Sequence, residues 1–211
     1  MVICGGWGRE PYENVEECYT LKKGDTSWTL LGKLNFMDDF SSSIVVNNIF
    51  YAIGGTGPDH CSTIESISLD GTTTVENITV NGDIHDYHEY GYIYCIGGQA
   101  SVTINSSTSI TIGGSDQGWS DQGPDAYYER TWYYNGETFS EGPDLIIGRH
   151  QGHAAGLLRD KDTNEEYIAV VGGRNINWEV LDSVELLKIG DNKWKLGNLF
   201  ISSSSILLYA S

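Results

Sequence analysis

Residues 154–194 read AAGLLRDKDTNEEYIAVVGGRNINWEVLDSVELLKIGDNKW, and this stretch decides the fold. The runs AAGLL, EYIAVV, SVELLKI and KW are rich in β-branched, aromatic and aliphatic residues, which suit a pleated strand. Gly172-Gly173, Gly190-Asp191 and the Asp/Asn-rich segments between the runs tolerate turn dihedrals cheaply. The stretch therefore predicts a four-stranded antiparallel sheet. One such sheet leaves both faces wet, so it needs neighbours of its own kind.

Those neighbours precede it. Apolar runs closed by Gly-Gly recur in MVICGG, SSIVVNNIFYAIGG and SVTINSSTSITIGG, with first glycines at 5, 54, 113 and 172, spaced by 49, 59 and 59 residues. Four strands in a period of roughly 40 to 50 residues is the signature of a β-propeller blade. A third run and a fourth follow each pair: ECYTL then Trp28, STIESISL then a weak Val75, TWYY then Phe139, SVELL then Trp194.

These residues resemble kelch repeats. The resemblance rests on Gly5-Gly6, Gly54-Gly55, Gly113-Gly114 and Gly172-Gly173 closing second strands, on Tyr19 and Tyr133 in third strands, and on Trp28 and Trp194 in fourth strands. The linkers ECYTLKKGDTSW and FSEGPDLIIGRHQGHAAGL are similar to those between kelch blades. It implies an all-β propeller of four-stranded antiparallel blades over 1–211, with repeats near 1–34, 42–80, 100–141 and 152–197 and a C-terminal strand at 202–210. The second repeat lacks the aromatic pair. A further Gly97-Gly98 allows another register with steps of 43 and 16, but 16 residues cannot hold four strands, so 71–100 reads as a long connection. The C-terminal ILLYA resembles a first strand and is expected beside MVICGG, closing a ring of about four blades. A piece of a larger propeller is the alternative.

Composition agrees: 26 Gly with 6 Trp, 13 Tyr and 5 Phe in 211 residues, and no helix-period apolar stretch. No run approaches the roughly 18 apolar residues of a membrane span, and MVICGG is broken too early by glycine to act as a signal peptide. The net charge of −17 repels phosphate, which disfavours nucleic acid and anionic membrane and favours a basic protein or peptide partner. Solubility alone is the simpler use of that charge.

Cys4, Cys18, Cys61 and Cys95 follow no zinc spacing. Cys4 and Cys18 fall on adjacent antiparallel strands, where they form either a cross-strand disulfide or two buried thiols. The sequons at Asn77 and Asn105 lean localisation outside the cell. Of the two H-x-x-H pairs, His150/His153 lies where kelch linkers carry packing histidines, and His85/His88 is less constrained. The segment SDQGWSDQGPD has acidic spacing but lacks the ligand order of a calcium loop.

No nucleophile elbow, phosphate loop or dinucleotide fingerprint occurs, so no residue is assigned to catalysis, no metal site is assigned and no cofactor is implied. A copper enzyme like galactose oxidase, or a metal-binding domain, is the alternative on the same fold. In an antiparallel meander the second-to-third loops and the connections between blades emerge on one side. That side is expected to carry 71–100 and 115–129, with Trp7, Tyr87, Trp119, Asp121, Asp125, Tyr127, Tyr128 and Trp178 as candidate binding residues. Rings supply contact area there and carboxylates steer a cationic segment. An extracellular recognition module and an intracellular adaptor, such as a ubiquitin-ligase substrate reader, both fit.

Overall fold

The computed structural model describes residues 1–5, 15–35, 42–53, 63–77, 80–81, 96–116, 129–202 and 205–210, and every regular element among them is a strand. The first sheet holds β1 (Val2–Cys4), β2 (Glu17–Thr20) and β3 (Thr29–Lys33) in that order. The second is a four-stranded meander of β4 (Ser42–Val46), β5 (Ile49–Ile53), β6 (Thr63–Ser68) and β7 (Thr73–Asn77). Next along the chain come β8 (Val80–Asn81), β9 (Ile96–Gly97), β10 (Ala100–Asn105), β11 (Thr108–Ile112), β12 (Ser115–Asp116), β13 (Thr131–Tyr134) and β14 (Phe139–Glu141). Five of these make the third sheet in the order β10-β11-β13-β14-β8, and β12 pairs with β9 in a separate ribbon. The last sheet runs β15 (Gln151–Arg159), β16 (Glu166–Arg174), β17 (Val184–Lys188), β18 (Lys195–Ser202) and β19 (Ser205–Ala210).

Local chemistry sets these elements. Asn47 and Asn48, both at positive φ, close β4 onto β5 with the two-residue turn that matches strand twist. Along β4, Ser42, Ile44 and Val46 are buried while Ser43 and Val45 are exposed, the period-two pattern of a half-buried strand.

Successive sheets pack face to face. Cys18 and Leu34 of the first sheet and its following connection meet Phe50 and Ile67 of the second. Ile44, Tyr51 and Ile64 of the second meet Trp132, Tyr134 and Phe139 of the third. Val102, Ile110 and Ile112 of the third meet Ile168, Val170, Leu187 and Trp194 of the last. The first strands β4, β10 and β15 are neighbours, and Thr103 Oγ1 donates to Val45 O at 3.1 Å across two of them. The chain is thus an all-β succession of sheets, antiparallel except where β8 pairs parallel with β14, consistent with a β-propeller-like fold.

Three expectations are corrected. The C-terminal strand does not join β1: it pairs along β18 from Gly197↔Ala210 to Ser202↔Ser205. Closing a short hairpin orders far less chain than carrying the strand back to the first sheet. The second sheet has a full fourth strand in β7 despite lacking an aromatic there, so residues 73–77 belong to the sheet and not to a long connection.

Pairing also separates Tyr19 from Tyr133. Ile3 and Thr111 stand two residues before their Gly-Gly pairs; Ile3 pairs with Tyr19 whereas Thr111 pairs with Trp132. Tyr19 therefore corresponds to Trp132, and Tyr133, one residue on, faces the other side. The fourth-strand aromatics do correspond. Trp28, Phe139 and Trp194 each lie two residues before the partner of that third-strand position, namely Leu30, Glu141 and Leu196.

Candidate functional site

The side of the sheets carrying the second-to-third loops and the inter-sheet connections is held by polar groups that the sequence does not announce. Glu185 and Arg149 are both fully buried. The Glu185 carboxylate accepts from the amides of Ile146 at 2.6 Å and Ile147 at 3.2 Å and from Arg149 Nη2 at 3.0 Å. Arg149 also donates to Gly172 O and, at 3.1 Å, to Ser183 Oγ. Burial lowers the Arg149 pKa, and the Glu185 charge opposes that shift. The pair pins the connection between the third and last sheets onto β17.

Glu65 repeats the device one interface earlier. It occupies the equivalent third-strand position, opposite Ala52 as Glu185 is opposite Val170. Its carboxylate accepts from the Asn35 amide and, at 2.6 Å, from Asn35 Nδ2 in the connection between the first and second sheets. In the sequence the signal is a Glu two residues after a hydroxyl side chain, Thr63 in STIES and Ser183 in SVE, easily passed over as a solvated charge.

The Gly-Gly pairs do more than end strands. Gly113 and Gly173 both have positive φ; a Cβ on Gly113 would strike the Arg149 carbonyl and crowd the His153 ring, and one on Gly173 would strike His153 Cβ. His153 fills the space between them and sits 2.8 Å from Ile112 O through Nε2. Burial, with a smaller contribution from Arg149, lowers its pKa against the Ile112 hydrogen bond, which favours the neutral ring. His150 is also buried, its pKa lowered by desolvation, and its ring centroid is 4.8 Å from that of Trp178. The two histidines therefore serve packing in different places.

Trp178 is the one candidate binding residue within the described residues, and it is held outward on a built loop. Asn175 Oδ1 accepts from the amides of Asn177 at 2.9 Å and Glu179 at 3.0 Å, Asn175 Nδ2 donates to Glu179 Oε2 at 2.7 Å, and the Trp178 amide donates to Asn175 O at 3.0 Å. Arg174 bridges to Val180 across the base. Trp178 adopts a left-handed backbone with φ of 62°, uncommon for a bulky residue. Ile176, Trp178 and Val180 are all exposed, a small apolar tip.

The ends of the two long segments meet on this side, since Gly97 pairs with Ser115 and Ile96 with Asp116. Gly98 packs against Gln151 and the carbonyl of His150, the residue whose ring lies against Trp178. Trp7, Tyr87, Trp119, Asp121, Asp125, Tyr127 and Tyr128 lie outside the described residues, as do Gly6, Gly54, Gly55, His85, His88, Cys61 and Cys95. The Cys4–Cys18 disulfide is formed, joining directly paired residues of β1 and β2. Asn105 is exposed at the β10–β11 turn, and Asn77 ends β7. Among the described residues no group of three or more His, Cys, Asp and Glu is placed to hold a metal ion.

No known protein family matches the chain, and no curated protein matches it. Among solved structures, one titled "Structure of YjhT" is similar with a TM-score of 0.60 at 13% sequence identity, over 90% of this chain and 54% of that one. The chain thus spans about half the length of the structure it matches, and at this identity the likeness speaks for the fold alone.

Proposed function

We propose that this chain is a kelch-type β-propeller module that binds a protein or peptide partner, without catalysis, through the side carrying the 174–182 loop and the segments 71–100 and 115–129. The observation that carries the reading is Trp178. A large ring is kept in solvent by a hydrogen-bonded loop in a sterically unfavourable backbone conformation, flanked by exposed Ile176 and Val180. Strain of this kind persists only where the surroundings impose it, and it clusters at binding sites. Aromatic anchors dominate binding energy at interfaces, and a net charge of −17 favours a cationic partner.

The test is binding to a panel of immobilised Lys/Arg-rich peptides with interspersed apolar residues. Trp178→Ala should weaken the best binders at least about tenfold, as expected for loss of an anchor worth about 1–2 kcal/mol or more, with the melting temperature unchanged. Reversing Asp121 and Asp125 to Lys should weaken the same binders in a salt-dependent way. Retained binding in both variants refutes the reading. The Cys4–Cys18 disulfide and the sequons at Asn77 and Asn105 support an oxidising, extracellular setting. Peptide mass mapping of unreduced native protein tests that, because free Cys4 and Cys18 thiols with bare asparagines would place it inside the cell.

A further inference from the structure

Asn105-Ser106-Ser107 has the pattern of an acceptor for N-linked sugar, with a hydroxyl two residues after the amide and no proline between. Such triplets also arise by chance, so placement carries the weight. Asn105 ends β10 and Ser106-Ser107 make the turn into β11, with all three residues exposed. Asn105 Oδ1 accepts from the Ser107 amide at 2.9 Å and from Ser107 Oγ at 3.0 Å, the local turn that Asn side chains form with the backbone two residues on. Those bonds fix the side chain through its oxygen. Among the described residues no group takes Nδ2, the atom that would carry a sugar. The other sequon differs, because Asn77 lies in the β6–β7 ladder opposite Thr63 and not in a turn.

The neighbours of Asn105 also show which side of the array it occupies. The turn beside it is Asn47-Asn48, exposed and polar, and the Asn47 amide donates to Ser106 O at 2.6 Å. Strands β4 and β10 therefore end together. Strands β10 and β15 start together, since the Ala100 amide is 3.3 Å from His153 Nε2 and Gly98 packs against Gln151. The first strands thus run in one direction. His150, just before β15, packs against the Trp178 ring at their starting ends. Asn105 stands at the far end of β10, about 17 Å along the strand from Ala100.

We propose that Asn105 carries an N-linked glycan, on the side of the array away from the Trp178 loop, so that glycan and partner do not compete. In the transfer, Nδ2 attacks the anomeric carbon of an oligosaccharide held on a lipid diphosphate. The C–N bond forms, the bond to the diphosphate breaks, and one Nδ2 proton leaves. The product is a bulky, solvating group fixed to a surface turn. The proposal rests on the extracellular setting of the reading above, and the site itself does not depend on whether a partner binds.

The experiment is peptide mapping of unreduced protein from its native source, treated with an N-glycan-releasing amidase in heavy-oxygen water, which turns each vacated asparagine into a labelled aspartate. The expected result is label at Asn105 together with the Cys4–Cys18 bridge. Unlabelled Asn105 beside an intact bridge overturns the proposal and leaves the extracellular setting standing, whereas unlabelled Asn105 with free thiols overturns both. In the 211-residue chain secreted from cultured animal cells, Ser107→Ala should remove one glycan and Ser107→Thr should keep it, with melting temperatures equal after sugar removal. A glycoform unchanged by Ser107→Ala belongs to another asparagine and overturns the assignment. Glycosylated and sugar-free protein should bind the basic-peptide panel equally. Tighter binding after sugar removal would put the glycan on the binding side and overturn the sidedness. The map decides the site even if no peptide binds.

Discussion

Removal of the Glu185 side chain tests what holds the connections in place. Glu185→Ala leaves the Arg149 guanidinium fully buried with its charge uncompensated, and strips the Ile146 and Ile147 amides of their acceptor. Breaking a buried ion pair from one side costs about 3–5 kcal/mol. A buried donor left without a partner carries a further desolvation penalty of about 1–3 kcal/mol, although partial relaxation toward water overlaps with the first cost. A net loss of about 4 kcal/mol is expected. For a chain of this size each kcal/mol moves the melting temperature by about 2–4 °C, so scanning calorimetry should show a fall of about 8–16 °C. The exposed pair Arg159–Glu166 is the control, and Glu166→Ala should be nearly silent. The double variant Arg149→Met with Glu185→Leu removes both charges and should recover part of the loss. A single variant that melts within about 3 °C of wild type, or a double variant as unstable as the single, would refute the assignment of this pair as the latch.

Further outcomes follow from other parts of the array. Replacing Cys4 and Cys18 together by Ser opens a loop closed by residues 14 apart, and the unfolding midpoint in urea should drop by the equivalent of about 3 kcal/mol; an unchanged midpoint under non-reducing conditions would argue against the bridge. His153 and His150 both have pKa values held below the ordinary 6.5 by burial, so the folded state resists protonation. Above about pH 6.5 both states are neutral and stability is fully present; below it the unfolded chain binds the extra protons and stability falls. The melting temperature should therefore decline from pH 7.5 to 5.5, and His153→Gln should flatten that decline; an equal slope in the variant would remove His153 from the account. Gly173→Ala forces a Cβ within 2.8 Å of His153 Cβ at a positive φ and should lower the melting temperature by several degrees, whereas Gly190→Ala, with open space around it, meets only the backbone penalty.

Much of this architecture is legible in the residues because the repeat is written in turn chemistry. Gly113-Gly114 and Gly172-Gly173 mark the ends of second strands, Cys4 and Cys18 face each other across one pair, and Phe139 and Trp194 stand at one position of successive sheets. What escapes the sequence is whatever depends on a neighbour. Strand β7 reads TTVEN, polar and at a sheet edge, so its membership comes from the ladder with β6 and not from its own composition. The pairing of β19 with β18 is a choice between two apolar edges that composition cannot rank. Glu65 and Glu185 look like surface charges until the connection amides are placed over them. Trp28 and Trp194 show the limit most directly: the same residue at the same repeat position is exposed in one sheet and buried in another, because burial is a property of the adjoining sheet.

The latches and the candidate site occupy the same side of the array, and this bears on how the side would bind. Glu185 fixes residues 146 and 147, Arg149 ties that connection to Gly172, and the His150 amide donates to Arg174 O at 2.7 Å, at the foot of the loop that carries Trp178. The His150 ring then packs against the Trp178 ring itself, tilted by 51°. The chain of contacts runs from a fully buried ion pair to an exposed indole without crossing an unbonded segment. A ring held this way loses little further freedom on meeting a partner, so less of the contact energy is offset by ordering. It also separates two classes of substitution. Changes at Glu185 or Arg149 should lower stability and, by releasing the loop, weaken binding as well, whereas changes at Trp178 should weaken binding alone. If Glu185→Gln, which keeps the side-chain shape and one carbonyl acceptor, lowered the melting temperature yet bound basic peptides as tightly as wild type at 10 °C, the loop would be positioned by its own Asn175 bonds and not by the buried pair.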